Sequence, residues 1–149
     1  MKKIFIILLI FIQSCGYQPI FVIKNPENAK FNKIYQKGNE KINKIIIKEL
    51  SIIEDSSNKS LDEIVFLSSI NIVETSKNTQ GRASSFRMEI FVELVISNSN
   101  KIIASKKFYE QFTYNNKKNK FELVQYQNQI ENNLLKEIIK NINLFLNLI

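Results

Sequence analysis

Residues 84–97 have the sequence SSFRMEIFVELVIS, and this stretch decides the fold. Even-numbered positions from Phe86 to Ile96 are all apolar, whereas odd-numbered positions mix charged and apolar residues. The apolar set is Phe86, Met88, Ile90, Val92, Leu94 and Ile96, and the mixed set is Arg87, Glu89, Phe91, Glu93 and Val95. Successive side chains of a strand point to opposite faces, so the pattern predicts a strand with one buried face and one wetter face.

Two further strands are predicted beside this one. Glu63–Thr75 is rich in β-branched residues and is followed by a loop, Ser76–Ala83. On the other side, Ser97–Asn100 has the composition of a short hairpin loop and leads into a strand over Lys101–Tyr114. Short connections favour antiparallel pairing of these three strands.

The remaining elements are two helices and a first strand. Asn39 is suited to cap a helix over 39–51, where isoleucines recur at helical spacing. A long helix is predicted from about Phe121 to the end, with a stripe formed by Ile130, Leu134, Ile138 and Ile142 and widened by Leu135, Ile139 and Leu146. Lys30–Lys37 is a candidate first strand, which Gly38 ends.

The predicted order is therefore β-α-β-β-β-α, in a single domain over 30–149. The simple packing solution is an α+β two-layer sandwich, with a four-stranded, mostly antiparallel sheet and both helices on one face. Five apolar residues at the C-terminal end would exceed what such a core needs if that end projected past the sheet: Leu144, Phe145, Leu146, Leu148 and Ile149. Surplus apolar surface marks an interface, and the alternative is that this end caps the core.

The N-terminus has the pattern of a bacterial lipoprotein signal. Lys2 and Lys3 precede nine apolar residues, Ile4–Ile12, a run too short to cross a bilayer but suited to a signal peptide. Ser14 then places a small residue directly before Cys15. We therefore expect residues 1–14 to be removed as a signal peptide. The alternative is an ordinary secretory signal followed by a chance cysteine.

Cys15 is the only cysteine in the chain, which excludes an internal disulfide. Acylation would consume a thiol that is otherwise a liability in an exported protein, and several acyl chains make a durable anchor. Residues 15–29, which contain both prolines, are expected to form a lipidated tether. Gly16 favours the periplasmic side of the outer membrane, since the residue after the cysteine influences sorting.

The composition argues against an enzyme. The chain has no histidine, which removes the commonest general base and zinc ligand, and it has no glycine-rich phosphate loop. Acidic residues cluster at Glu54, Asp55, Asp62 and Glu63, but their spacing fits no calcium loop. We expect no catalytic residue, no metal and no cofactor apart from the lipid on Cys15. Export argues against nucleic acid as the partner of the basic and aromatic residues in 101–121.

The residues that follow the cysteine, Cys15-Gly16-Tyr17-Gln18-Pro19-Ile20-Phe21, resemble the mature N-terminus of the lipopolysaccharide-assembly lipoprotein family, LptE, in its alphaproteobacterial form. Gly81-Arg82-Ala83, which leads into the 84–97 strand, is similar to that family's central strand. The resemblance implies a small sheet with two helices on one face. It also implies a non-enzymatic plug and assembly partner of the LptD β-barrel, which helps to deliver lipopolysaccharide (LPS) to the outer leaflet.

Three basic residues are candidates for contact with the phosphates of LPS. Lys77, Arg82 and Arg87 lie in or next to the loop between the second and third predicted strands, and the chain has no other arginine. Arginine holds a phosphate with a planar fork that lysine lacks. Alternatively, Arg87 pairs with Glu89 or Glu93, and Arg82 is merely solvated. The net charge of +7, or +5 without Lys2 and Lys3, is compatible with an anionic partner or with a lysine-rich surface.

Three other functions remain open at this stage. A ligand-binding lipoprotein for an ABC transporter is usually larger and two-lobed. A periplasmic enzyme is disfavoured by the missing histidine. An auxiliary lipoprotein of another envelope lipid-trafficking complex would share the anchor and the size. Co-purification of a large barrel would favour the plug function, whereas co-purification of a permease or an ATPase complex would favour the other classes.

Overall fold

The computed structural model describes residues 29–149, which form eight elements. They are β1 (Lys30–Phe31), β2 (Lys33–Gly38), α1 (Glu40–Glu49), β3 (Ile53–Glu54), β4 (Glu63–Lys77), β5 (Ala83–Asn98), β6 (Lys101–Asn115) and α2 (Lys120–Leu146). The long strands and both helices follow the predicted order. Over this part of the chain, no helix is long and apolar enough to span a membrane. The predicted signal peptide, Cys15 and nearly all of the tether lie outside the described residues.

The main sheet has the strand order β2-β4-β5-β6. β4 pairs antiparallel with β5, and β5 pairs antiparallel with β6, whereas β2 lies parallel to β4 with Lys33 opposite Glu63. Helix α1 lies between the two parallel strands in sequence, as a parallel crossover requires. The predicted four-stranded, mostly antiparallel sheet is confirmed.

The predicted first strand differs, because it is interrupted at Asn32. The backbone N–H of Asn32 donates to the carbonyl of Asp62 (2.8 Å), and its side chain donates to the carbonyl of Asn58 (3.0 Å). Residues before this break pair as β1 with the two-residue strand β3, in a separate parallel ladder. A strand of two residues is too short to produce a recognisable sequence pattern, so β3 was not predicted.

The core lies between the sheet and the two helices. The even-numbered side chains of β5 from Met88 to Ile96 are buried as predicted, while Phe86 is only partly buried. Helix α1 contributes Ile42 and Ile46. Helix α2 contributes Ile130, Leu134, Leu135, Ile138 and Ile142. Burial of one apolar face of the sheet under two amphipathic helices confirms the two-layer α+β architecture.

Gly38 joins β2 to α1 in a close contact with β4. Its φ is +81°, and a Cβ atom added there would lie 2.0 Å from the carbonyl oxygen of Ser68. The next residue, Asn39, donates its N–H to that oxygen (2.9 Å), and its side chain accepts from the N–H of Ile42 (3.1 Å). The hydroxyl of Ser68 donates to the carbonyl of Asn39 (3.0 Å). Only glycine fits this junction without strain.

The C-terminal end is divided between core and surface. The ring of Phe145 packs edge-on against Phe108 with a centroid distance of 6.1 Å. Leu144 and Leu146 are partly buried. Beyond the helix, Leu148 is 82% exposed and Ile149 is 62% exposed. The apolar surplus considered from the sequence is therefore limited to these last two side chains.

Candidate interaction surfaces

One face of the sheet carries no covering layer within the described residues, and we call it the open face. Both helices contact the sheet from the side where the even-numbered β5 side chains are buried, so the odd-numbered side chains form the opposite face. The strand registers place its members in rows across the sheet: Tyr35–Val65–Val95–Ser105, Lys37–Leu67–Glu93–Lys107, Ser69–Phe91–Tyr109, Asn71–Glu89–Gln111 and Val73–Arg87–Thr113.

The middle of the open face is apolar and aromatic. Leu67 is 40% exposed and Tyr109 is 50% exposed, and the partly buried Phe91 lies opposite Tyr109 in the neighbouring strand. Tyr35 extends this surface to the edge of the sheet. Side chains at opposed and diagonal positions of neighbouring strands lie within reach of one another, so these residues form one patch rather than isolated exposed groups. A patch of this kind is typical of an interface.

Charged side chains on the open face neutralise one another locally. The Arg87 guanidinium lies 3.6 Å from the Glu89 carboxylate, and the Lys107 ammonium lies 4.0 Å from that of Glu93. Exposed pairs of this type contribute at most about 1 kcal/mol to stability. Pairing does, however, lower the cost of removing water from these charged groups when a partner covers the face.

The β4–β5 loop is organised around the side chain of Asn78. Its Oδ1 accepts from the N–H groups of Gln80 and Arg82, each at 3.0 Å. The Asn78 N–H donates to the Arg82 carbonyl (2.8 Å), and the Gly81 N–H, at a residue with φ of +74°, donates to the Asn78 carbonyl (2.9 Å). The loop therefore holds a defined backbone from which the Arg82 side chain extends into solvent.

The three predicted phosphate-contact residues do not form one cluster. Lys77 ends β4 opposite Ala83, so Lys77 and Arg82 share the tip of the hairpin. Arg87 lies on the open face, four residues past Ala83 and so about 13 Å along the strand. Two of the three also have acidic neighbours in space: Glu74 lies 4.0 Å from Lys77, and Glu89 pairs with Arg87.

A groove between the helices was not foreseen from the sequence. It has a volume of about 470 Å³, and its lining includes the apolar residues Ile45, Leu135 and Ile139 together with Glu49, Lys136 and Lys140. Sequence periodicity shows that each helix has an apolar face. It does not show how the two helices pack side by side, and the groove depends on that packing.

The acid–base groups of the described residues are scattered on the surface. A hydrogen bond from Lys44 lowers the pKa of Glu40, and one from Ser57 lowers the pKa of Asp55. Partial burial, assisted by the Glu89 carboxylate, raises the pKa of Tyr109. Between residues 29 and 149, no group of three His, Cys, Asp or Glu side chains is placed to hold a metal ion.

Comparison with known proteins gives structural neighbours only. No protein-family model matches the chain, and no curated protein matches it. The rare lipoprotein B of Shewanella oneidensis is similar with a TM-score of 0.54 and 11% identity, over 78% of this chain and 98% of that one. Lipoprotein B of Nitrosomonas europaea has a TM-score of 0.55 at 12% identity, over 78% and 82% of the two chains.

A third neighbour is a Caulobacter crescentus protein described as a lipoprotein. It matches with a TM-score of 0.52 and 13% identity, over 76% of this chain and 86% of the other. At these identities the likeness concerns the fold, which extends over most of each neighbour. The α+β domain of residues 29–149 thus has the fold of these bacterial lipoproteins.

Proposed function

We propose that this chain is an outer-membrane lipoprotein, anchored through Cys15, that acts as a non-enzymatic plug and assembly partner of an LptD-type β-barrel during LPS delivery. The observation that carries the proposal is the open face, an uncovered sheet surface with an apolar middle on a fold shared with bacterial lipoproteins. The lipoprotein signal and the sequence resemblance at residues 15–21 support the same assignment.

The open face suits a partner of large, continuous surface. Its apolar middle lies on the face of a sheet, whereas a small ligand needs a concave pocket that surrounds it. A surface with an apolar centre and charged side chains nearby has the layout of a protein–protein interface. The interior of a barrel that encloses a plug offers such a surface on several sides at once.

The first test replaces two open-face side chains with serine, as Leu67→Ser together with Tyr109→Ser. Both are 40–50% exposed, so the fold should persist. Loss of two central apolar contacts should reduce barrel recovery at least about tenfold when the tagged protein is purified from solubilised outer membranes. The matched control is Phe121→Ser with Val124→Ser, which removes exposed apolar groups from the start of α2 and should leave recovery unchanged.

Two results would contradict the plug role. One is recovery of the parent lipoprotein alone, at full yield and without a large barrel. The other is an equal loss of barrel from both double variants, which would indicate non-specific hydrophobic association. Recovery of a permease or an ATPase complex in place of the barrel would favour an auxiliary lipoprotein of another envelope lipid-trafficking or ABC-transport complex.

Contact with LPS phosphates is proposed for Lys77, Arg82 and Arg87. Arg82 has no ion-pair partner among the described residues. Lys77 has one carboxylate at 4.0 Å, which is a long distance for an ion pair, so both side chains are available to an anion at the hairpin tip. Replacing all three with alanine should weaken binding of lipid A about tenfold at low salt, since each exposed charge contributes less than about 1 kcal/mol. Added salt should shrink the difference.

A matched control removes the same charge elsewhere, through Lys48→Ala, Lys59→Ala and Lys136→Ala, three exposed positions away from the hairpin tip. Binding to lipid A vesicles across a salt titration compares the two triple variants. If the hairpin variant binds like the parent at every salt concentration, or if the control loses as much affinity, these residues are not a phosphate site. The plug proposal is unaffected by that outcome.

A further inference from the structure

The outer edge of β4 is only half occupied within the described residues. β2 pairs with it from Glu63 to Ser68 and then turns away at Gly38, while β4 continues to Lys77. The carbonyl of Ser68 points to this edge, because it accepts from Asn39. Backbone groups alternate in direction along a strand, so the N–H and C=O groups of Ile70 and Ile72 point to the same edge.

This free edge lacks the usual protection against pairing. Residues 69–73 have the sequence SINIV, without a charge, and Ile72 and Val73 are 47% and 41% exposed. Natural proteins normally protect an open edge with lysines, prolines or bulges. The other edge of the sheet follows this rule, because β6 carries Lys101, Lys106, Lys107 and Glu110.

We propose that residues 69–73 of β4 pair antiparallel with the same residues of a second copy of this chain, about a two-fold axis at Asn71. The sequence is self-complementary in that register. Ile70 lies opposite Ile72 of the second copy on the helix side, Ser69 lies opposite Val73, and Asn71 lies opposite Asn71. The two Ile70–Ile72 pairs exchange four backbone hydrogen bonds.

Features at both ends limit the pairing to these five residues. In this register Glu74 would lie opposite Ser68, where the chain at Gly38 and Asn39 already occupies the edge. A bulge between Glu74 and Ser76 bends β4 away at the same point.

The expected dimer is weak. A five-residue strand pair is much smaller than the roughly 800 Å² per partner of a stable interface. Covalent trapping is therefore the suitable test. The proposal concerns the protein alone and does not depend on the barrel partner.

The test places a cysteine on the proposed axis as Asn71→Cys in the full chain, purified in detergent without a barrel and treated with a mild oxidant. Two residues facing each other in a non-hydrogen-bonded pair have Cα atoms about 4.5 Å apart, within disulfide range. We expect a dimer on a non-reducing gel. Ser69→Cys is the matched control, since its two copies would be about 13 Å apart. The parent, with Cys15 alone, gives the background.

A second variant tests the edge itself. Adding Ile72→Lys to Asn71→Cys should reduce the cross-linked fraction at least about fivefold, because a charge would face Ile70 of the second copy. Val124→Lys, an exposed apolar position on α2 away from the pairing segment, should leave the fraction unchanged. The proposal fails if Asn71→Cys stays monomeric or links to another protein, if Ser69→Cys cross-links equally, or if Ile72→Lys has no effect.

Discussion

Replacing Gly38 with alanine should destabilise the domain by about 3 kcal/mol or more, a large part of the stability of an ordinary domain. Alanine at a φ of +81° is strained, and its methyl group would also lie 2.0 Å from the backbone oxygen of Ser68. Relief of that overlap would require β2 to move away from β4. The hydrogen bond from Asn39 to the same oxygen would then be lost or weakened.

The other described glycine in the left-handed region provides a matched control. Gly81 has a φ of +74°, but no atom lies within 4 Å of a Cβ added there. Gly81→Ala should therefore cost only the backbone strain, about 1–2 kcal/mol. Urea unfolding of the purified proteins measures both losses of stability. The comparison requires that the unfolding free energy depend on urea concentration with the same slope in each variant. Equal losses in the two variants would show that the contact between Gly38 and Ser68 is not the tight junction described above.

Cys15→Ala should abolish lipid attachment completely, which is an all-or-none effect. The acyl anchor requires the sulfur of a cysteine, and the chain has no second cysteine to replace it. The measurement is incorporation of radiolabelled palmitate, and we expect no label above background in the Cys15→Ala protein. Lipidation of Cys15 lies outside the described residues and depends on the sequence pattern alone.

The control for this variant is Ser14→Ala, which keeps a small residue before the cysteine and should retain the label. Persistent label in Cys15→Ala would contradict lipidation at this position. Loss of label from both variants would instead indicate that Ser14 itself is needed for processing.

The fold was largely predictable because its strongest signals are local. The alternation over 84–97 places Met88 to Ile96 on one face whatever the partners are, since a strand has a period of two. The stripe on α2 depends on a period of 3.6 in the same way. The break at Asn32 depends on hydrogen bonds to Asp62 and Asn58, about 30 residues away, and no local pattern contains that information.

The interaction surfaces were less predictable, because they depend on tertiary arrangement. Proximity in sequence placed Arg87 beside the hairpin loop, whereas the strand register places it opposite Val73 and Thr113 on the open face. The exposure of Leu67 and Tyr109 follows from both helices packing on the opposite side of the sheet. The free edge of β4 follows from the shortness of β2, whose end at Gly38 the sequence did indicate.

The parallel pairing of β2 with β4 also has a consequence for the order of assembly. β4, β5 and β6 are joined by short turns, so their pairing closes small loops, whereas pairing of β2 must close the whole of residues 39–62. Contacts that close longer loops cost more chain entropy, so we expect the pairing of β2 to form after the two hairpins. If the chain is exported from its N-terminus as proposed, β2 emerges before the other strands of the main sheet and yet is the last of them to be paired.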